Sequence, residues 1–585
     1  MKKTFLLSCL MLAAMPVMAA YTGHVYVDKN KNGVFDQSEK PLAGIKVSDG
    51  LNVVETAADG SFTLPGHERE RFIFITTPSG YKTFNRHYHK IEKKQSGYDF
   101  GLIPYSGRIR KDGSHRYIHI TDTEIFNTEN HADWVNNVRD YARNEQAAFI
   151  IHTGDICYEK GLKAHIKLMN TENMDCPVFY CIGNHDLVKG KYGEELFESI
   201  YGPVYYSFDA GNVHYVVTPM SGGDHAPGYT SDDVCRWLKN DLAHIRPGTP
   251  VVVFNHDLLT YEDTFIFKSK NAGSINLNEY NLKAWVYGHW HINYMKKQGD
   301  VYSVCTSSLD KGGIDHSTTA FRVMHVDSKG DFTSELRYTY LDKNICIASP
   351  AGVMASGVLP VAVNVYSSVS PVREVLYTCL ADGKPVLKNK RLLQSTDWSW
   401  NGELPLSHKY VGKELTLRVT ARFNNGEIAE AESNFICRTE KTVPLFSADW
   451  DNLSGNAKHS APVSAPLNLP LQLAWTNNVG ANLYMTSPLI HKGKVIVASV
   501  DEDLKGAGHV YALNGKDGTI LWSCPVRNSI KNSIAVDSDI VFAQDAQGFL
   551  YAIDTETGKL CWEKQLPVNG LPALICLLYT SPSPR

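Results

Sequence analysis

Five short clusters between residues 115 and 345 contain the residue types that bind metal ions and move protons. They are Asp122-Thr123-Glu124, Gly154-Asp155 followed by Tyr158, Gly183-Asn184-His185-Asp186, Asn255-His256, and Gly288-His289-Trp290-His291. Carboxylates that offset positive charge, together with neutral imidazoles that leave coordination positions open, are what a hydrolase with two ions about 3.5–4 Å apart requires. Two such ions would also hold an anionic substrate without any basic surface. That matters here, because 58 Lys+Arg against 62 Asp+Glu give a net charge of −4. No field of the kind that gathers nucleic acid is expected.

The elements that must position these clusters are legible around them. Each cluster directly follows an apolar run of strand character, at 117–121, 148–152, 177–182, 251–255 and 284–287, and further strands are expected at 214–218 and 301–306. Helices are expected at 129–144 and 232–245, the second with Ser231 as its N-cap. Strands alternating with helices predict an α/β layered core over 106–345, and open sheets of this class place ligands at the ends of their strands.

Taken in order, the clusters resemble the signature of the calcineurin-like metallophosphoesterases: Asp-x-His, Gly-Asp, Gly-Asn-His-Asp/Glu, a lone His, then Gly-His-x-His. The resemblance covers roughly residues 115–345. It implies an α/β/β/α core and two divalent ions (Mn, Fe, Zn or Mg), with Asp155 bridging them. Asp122 and His291 would hold the first ion; Asn184, His256 and His289 would hold the second. A hydroxide between the ions would attack phosphorus in line, and His185 would stabilise the phosphoryl oxygens or protonate the leaving group. Asp186 would fix the His185 tautomer. The implied substrate is a small-molecule or lipid-headgroup phosphoester, either monoester or diester.

One position departs from the pattern. Glu124 stands where a His ligand is usual, and a carboxylate ligand there favours Mn, Mg or iron over Zn. If Glu124 does not ligate, Gly154-Asp155-x-x-Tyr158 and Val253-x-x-His256 resemble the purple acid phosphatases, in which the tyrosine binds ferric iron. His119 and His152, on the strands themselves, read as core or supporting residues rather than ligands. His225, in the Gly-rich loop 221–228, reads as a rim residue. A competing reading makes the core a degenerate scaffold in a cell-envelope binding protein; the survival of all but one of the expected ligands argues against it.

At about 150 residues per domain, 585 residues suggest roughly four domains. Residues 1–20, with Lys2-Lys3, an apolar run and Ala19-Ala20, resemble a secretory signal peptide. A periplasmic or extracellular protein is therefore expected, with no transmembrane segment in the mature chain and lipoprotein anchoring through Cys9 disfavoured. The 12 cysteines are scattered without a CxxC pair, which fits neither a disulfide scaffold nor a zinc ribbon. Residues 21–105 read as a small β-sandwich. Within it Asp28, Asn30, Asn32, Val34, Asp36 and Glu39 follow a calcium-loop pattern, flanked by strand rather than helix, so that a Ca site and a plain turn are both open. Residues 346–440 read as a second β-sandwich and 441–470 as a linker. Over 471–575, residues 508–522 align with 548–562 at an offset of 40, which resembles quinoprotein-like repeats and predicts a partial β-propeller of two or three blades, a surface for protein or glycan. Residues 576–585 resemble translated sequencing adapter, so a non-native tail and a longer natural protein are expected.

Overall fold

The computed structural model describes residues 20–439, 449–456, 458, 460, 473–484 and 486–566. The expected signal segment, most of the expected linker and the expected non-native tail lie outside them. Among the described residues, no helix is long and apolar enough to cross a membrane.

Two sheets build the central unit. The first runs in the order Val178–Tyr180, Phe149–His152, His115–Ile120, Ala320–Val326, Phe332–Tyr338, its first three strands parallel and the rest antiparallel. The second runs Tyr206–Ala210, Val213–Val217, Val251–Phe254, Leu282–Tyr287, Val301–Cys305, Tyr294–Gln298, parallel in the middle and antiparallel at both edges. Period-two alternation decides which side chains lie between them. Tyr117, Phe149 and Phe179 of the first sheet meet Tyr215, Phe254 and Phe208 of the second, with Phe179 and Phe208 stacked at 3.8 Å. Ile118, Ile120 and Ile150 face the other way, against Trp134, Val138 and Leu162 of the helices Ala132–Asn144 and Tyr158–Leu168. The third long helix, Ser231–Ala243, sets Cys235, Trp237 and Leu238 into the same core as the second sheet.

All seven expected core strands are present, shifted by one or two residues at their ends. Within the two sheets, four strands with antiparallel neighbours were not anticipated: Tyr206–Ala210, Tyr294–Gln298, Ala320–Val326 and Phe332–Tyr338; the separate hairpin of Ile266–Lys268 and Ser274–Asn276 was not anticipated either. The helix expected at 129–144 begins at Ala132. The one expected at 232–245 is capped by Thr230 rather than Ser231: the Thr230 hydroxyl accepts from the Asp233 N–H while the Asp233 carboxylate accepts from the Thr230 N–H, a reciprocal capping box.

Ahead of this unit, Tyr21–Val27 pairs with Phe100–Pro104 and Ser61–Leu64, while Lys46–Ser48 and Phe72–Ile75 belong to a second small sheet; Val25, Val47, Phe62, Ile73 and Phe100 share one core. In the expected calcium loop, Asp28 accepts backbone N–H groups of Asn32 and Gly33, and Glu39 those of Lys29 and Asp36. Behind the central unit, sheets containing Val358–Tyr366 and Glu414–Phe423 enclose a core that includes Val363, Trp400, Leu417 and Val419.

The two aligned repeats each fold as a four-stranded antiparallel meander, one over Leu489–Pro525 and one over Ala535–Gln565. Tryptophans join successive units. Trp475 Nε1 donates to Gly515 O in the first meander, and Trp522 Nε1, from its last strand, donates to Thr555 O in the second. The equivalent Trp562 is 45% exposed.

Candidate metal centre

All five clusters converge at one end of the two sheets. Among the described residues, three groups of potential ligand atoms there lie within 4.8 Å of one another: Asp122, Asp155 and His291; Asp155, His256 and His289; and Glu124, Asp155 and His185. Asp155 is common to all three. Asp122, Asp155 and His256 are essentially fully buried, whereas Glu124, Asn184, His185, His289 and His291 are partly open to solvent.

The backbone works unusually hard to achieve this. Asp122, Glu124, Asp155, Tyr158, His289 and His291 all have φ between +43° and +65°. A left-handed conformation costs a non-glycine residue about 1–3 kcal/mol and persists where surrounding structure enforces it. The enforcing contacts are visible: Asp122 N–H donates to Gly154 O, Glu124 N–H to Asp155 O, and His289 N–H to the Asp122 carboxylate. Glycines let these strand ends approach. A Cβ on Gly154, itself at φ +101°, would lie 2.7 Å from both Gly183 N and His256 Nδ1, and one on Gly288 would lie 1.9 Å from Thr121 Oγ1.

The donor set fits a cation. His256 Nδ1 donates to Thr153 O at 2.7 Å, which turns the Nε2 lone pair toward Asp155 Oδ2 at 3.1 Å and Asn184 Oδ1 at 3.2 Å. Three acceptor atoms thus face one another. Burial opposes an imidazolium here, yet the Asp155 carboxylate raises the His256 pKa to about 10, so the pocket calls for positive charge at this point. On the other side of Asp155, His291 Nε2 is 3.3 Å from Asp122 Oδ1 and 3.6 Å from Glu124 Oε1. Glu124 also carries a partner that sequence reasoning missed: Lys311 Nζ donates to its Oε2 at 2.7 Å and to its backbone oxygen at 3.1 Å.

His185 is about one-third exposed. Its backbone N–H donates to Asp155 Oδ1 at 3.0 Å, and its ring packs 5.3 Å from that of Tyr158. The residue bonded to its Nδ1 is Asp224, at 2.8 Å, rather than the expected Asp186. Burial disfavours the imidazolium, but the Asp224 hydrogen bond and the charge of Asp155 outweigh it and raise the pKa. Asp186 instead accepts the N–H groups of Cys157, at 2.8 Å, and Gly183, at 2.9 Å, tying two of the strand-end loops together. Its burial, with the nearby Asp155, pushes its pKa up to about 7. Adjacent numbering had suggested the His185–Asp186 pair; the 3₁₀ turn Asn184–Asp186 points the two side chains apart. Asp224 neighbours His225 in the Gly-rich loop 221–228, so the loop was visible although its aspartate was not picked out; His225 is exposed. Lys311 belongs to no motif and gave no signal.

The remaining residues fall into supporting places. His119 bridges Thr153 Oγ1 and Thr306 Oγ1, both at 2.8 Å, and His152 bonds Thr123 Oγ1 and the Gly154 N–H. Tyr158 is 43% exposed, its ring between those of His185 and Phe126. The carboxylates of Asp28, Asp36 and Glu39 are not among the convergent groups.

Comparison with known proteins agrees with this geometry. Residues 115–293 match the family model of the calcineurin-like phosphoesterases, residues 29–104 that of the N-terminal domain of calcineurin-like phosphoesterases, and residues 472–573 one described as outer membrane protein assembly factor BamB. No curated protein matches the chain. Among solved structures, a conserved uncharacterised protein of Streptococcus pneumoniae described as a predicted phosphoesterase is 12% identical over 39% of this chain and 98% of its own, with a TM-score of 0.20. A quinohemoprotein alcohol dehydrogenase of Pseudomonas putida is 19% identical over 21% of this chain and 19% of its own, TM-score 0.18. A europium-containing methanol dehydrogenase is 23% identical over 20% and 23%, TM-score 0.17. The chain thus spans about a fifth of the length of those two dehydrogenases. The chain carries a calcineurin-like phosphoesterase domain, the fold of a metal-dependent phosphate ester hydrolase, with that family's N-terminal domain ahead of it and a quinoprotein-type repeat region behind it.

Proposed function

We propose that the protein is an exported phosphohydrolase that uses two divalent ions to cleave phosphodiesters or phosphomonoesters of small molecules or lipid headgroups. The carrying observation is that Asp155 belongs at once to all three convergent groups, as a bridging carboxylate must. On this reading the two central sheets and their helices form an α/β/β/α stack over 106–345, the flanking units over 21–105 and 346–440 are β-sandwiches, and 471–575 is part of a β-propeller. Asp122 and His291, joined by Glu124, would hold one ion; Asn184, His256 and His289 would hold the other. When bound, the ions supply Lewis acidity for the phosphoryl oxygens and lower the pKa of water. Thr153 O orients His256, and the His289 N–H orients Asp122. His185, its Nδ1 engaged by Asp224, presents Nε2 to the substrate and holds there the proton that the leaving oxygen takes. Lys311 moderates the negative charge that Glu124 adds.

The test is turnover of bis-p-nitrophenyl phosphate and p-nitrophenyl phosphate after chelation and readdition of Mn²⁺, Zn²⁺ or iron. Activity should vanish with chelation and return with metal, and His185→Ala should lower kcat by roughly 10²–10⁴. No turnover with any metal would sink the proposal. A visible charge-transfer band on iron loading would transfer the assignment to a ferric site ligated by Tyr158. The calcium reading of the Asp28–Glu39 loop is separately tested by a Ca²⁺-dependent rise in melting temperature that Glu39→Gln abolishes.

A further inference from the structure

The repeat region is joined to the phosphoesterase core by buried charges, and both junctions lead to metal-binding histidines. Lys531, between the two meanders, is 7% exposed. Its ammonium donates to Asn293 O at 2.8 Å and Asp315 Oδ2 at 2.7 Å in the core, and it pairs with Glu502 of its own region at 2.7 Å. Asn293 lies two residues beyond His291. Asp315 belongs to the loop whose Ile314 N–H donates to His291 O at 2.9 Å. Nearby, Asn528 Nδ2 donates to Met295 O at 3.0 Å. One side chain of the repeat region therefore fixes both the chain leaving His291 and the loop bonded to the His291 carbonyl.

The second junction is Arg322, wholly buried in the first central sheet. Its counterion comes from the repeat region: Asp503 Oδ1 accepts from Nη1 at 2.6 Å. The guanidinium Nε donates to Thr306 Oγ1 at 3.1 Å, Thr306 Oγ1 meets His119 Nδ1 at 2.8 Å, His119 Nε2 meets Thr153 Oγ1 at 2.8 Å, and Thr153 O accepts from His256 Nδ1. Hydrogen bonds, continued covalently through Thr153, thus link Asp503 to a ligand on the opposite side of the centre from His291. Burying Arg322 and Asp315 without their partners would leave isolated charges in an apolar interior, so the two regions are not independent modules.

We propose that Lys531 and Asp503 are positioning residues of the metal centre: the repeat region holds His291 and His256 in their ligating geometry and thereby sets metal affinity. The inference rests on the assignment of those histidines as ligands. Partners of ligands typically alter metal affinity by 10–100-fold when removed. Calorimetric titration of metal-stripped full-length protein with Mn²⁺ is the test. Lys531→Met and Asp503→Asn should each raise Kd by at least about tenfold. Lys531→Arg should recover most of the loss, and Asp539→Asn, which removes an ion pair of the repeat region remote from both junctions, should leave Kd at the wild-type value. Folded Lys531→Met and Asp503→Asn proteins with wild-type Kd would overturn the proposal. If Lys531→Met does not fold, Asn528→Ala takes its place: a raised Kd supports the brace and an unchanged one refutes it. Failure of the wild type itself to bind Mn²⁺, Zn²⁺ or iron would instead overturn the ligand assignment and, with it, this inference.

Discussion

Two aspartates compete for the role beside His185, and paired substitutions separate them. Asp186 is fully buried and accepts two backbone N–H groups, from Cys157 and Gly183. In Asp186→Asn one of those donors must face an amide NH₂. The change strands a buried donor, at about 1–3 kcal/mol. For a unit of this size that corresponds to a fall in melting temperature of roughly 2–12 °C. Asp224 differs: it and His185 are about one-third exposed, and such an ion pair contributes at most about 1 kcal/mol. Asp224→Asn should therefore melt within a few degrees of wild type. Its effect belongs in the chemistry, because an Asn no longer supports the charge on His185. The expected loss in kcat is about 10–100-fold for an alkyl phosphoester, whose leaving oxygen needs a proton, and much smaller for p-nitrophenolate, which leaves unaided. Calorimetry and a comparison of leaving groups measure both. If Asp186→Asn melts like wild type and shows the leaving-group effect, while Asp224→Asn does not, the roles derived from the geometry are reversed and the argument fails.

On the proposed mechanism the acid form of His185 is the active one and Asp224 raises its pKa, so activity should decline as pH rises through that value, and Asp224→Asn should move the alkaline limb of the kcat profile to lower pH; an unmoved limb counts against His185 as the acid. His214, buried between Asp209 at 2.7 Å and Asp241 at 2.8 Å, has its pKa raised to about 9 despite burial that opposes its charge. A folded value above the unfolded one gives stability that is complete below about pH 6.5 and is lost as pH rises through about 9, on the order of 3 kcal/mol; His214→Gln should flatten that part of the melting profile. Glu124→His should shift activation toward Zn²⁺ by replacing a hard oxygen with an imidazole, and an unchanged metal preference would show that Glu124 does not ligate. Trp522→Ala removes both the packing and the hydrogen bond that join the two meanders, and should cost the repeat region about 3–5 kcal/mol, read as a lowered calorimetric transition.

The sequence exposed the site far better than its surroundings. Ligand candidates at strand ends are legible because an apolar run that stops at Asp, Asn or His sets a costly polar group at the margin of the core, where packing alone has no use for it. The fixed order of the clusters adds to this. The parallel strands were found for the same reason. The antiparallel strands were missed where the periodic signal is mixed: Tyr294–Gln298 carries Lys296 and Lys297, and its clearest mark is the Gly299-Asp300 turn rather than its own composition. Ser231 looked like a helix cap because Ser and Thr are adjacent and chemically alike; only the reciprocal bonds of Thr230 and Asp233 decide between them. Asp224, Lys311, Lys531 and Asp503 could not be found, since each acts on a residue tens to hundreds of positions away and local spacing holds no trace of such a contact.

The crossing of main chains at the centre has a consequence for redesign. A single added methyl on Gly183 would collide with Asp155 N at 2.3 Å, and one on Gly288 with Asp122 Oδ2 at 2.6 Å. The distances between carboxylates and imidazoles are therefore a property of interlocked backbone rather than of adjustable rotamers. Loop grafting or flexible-linker insertion cannot widen or narrow this site gradually. Its metal preference is open to change through the identity of the ligand atoms, and hardly at all through their spacing.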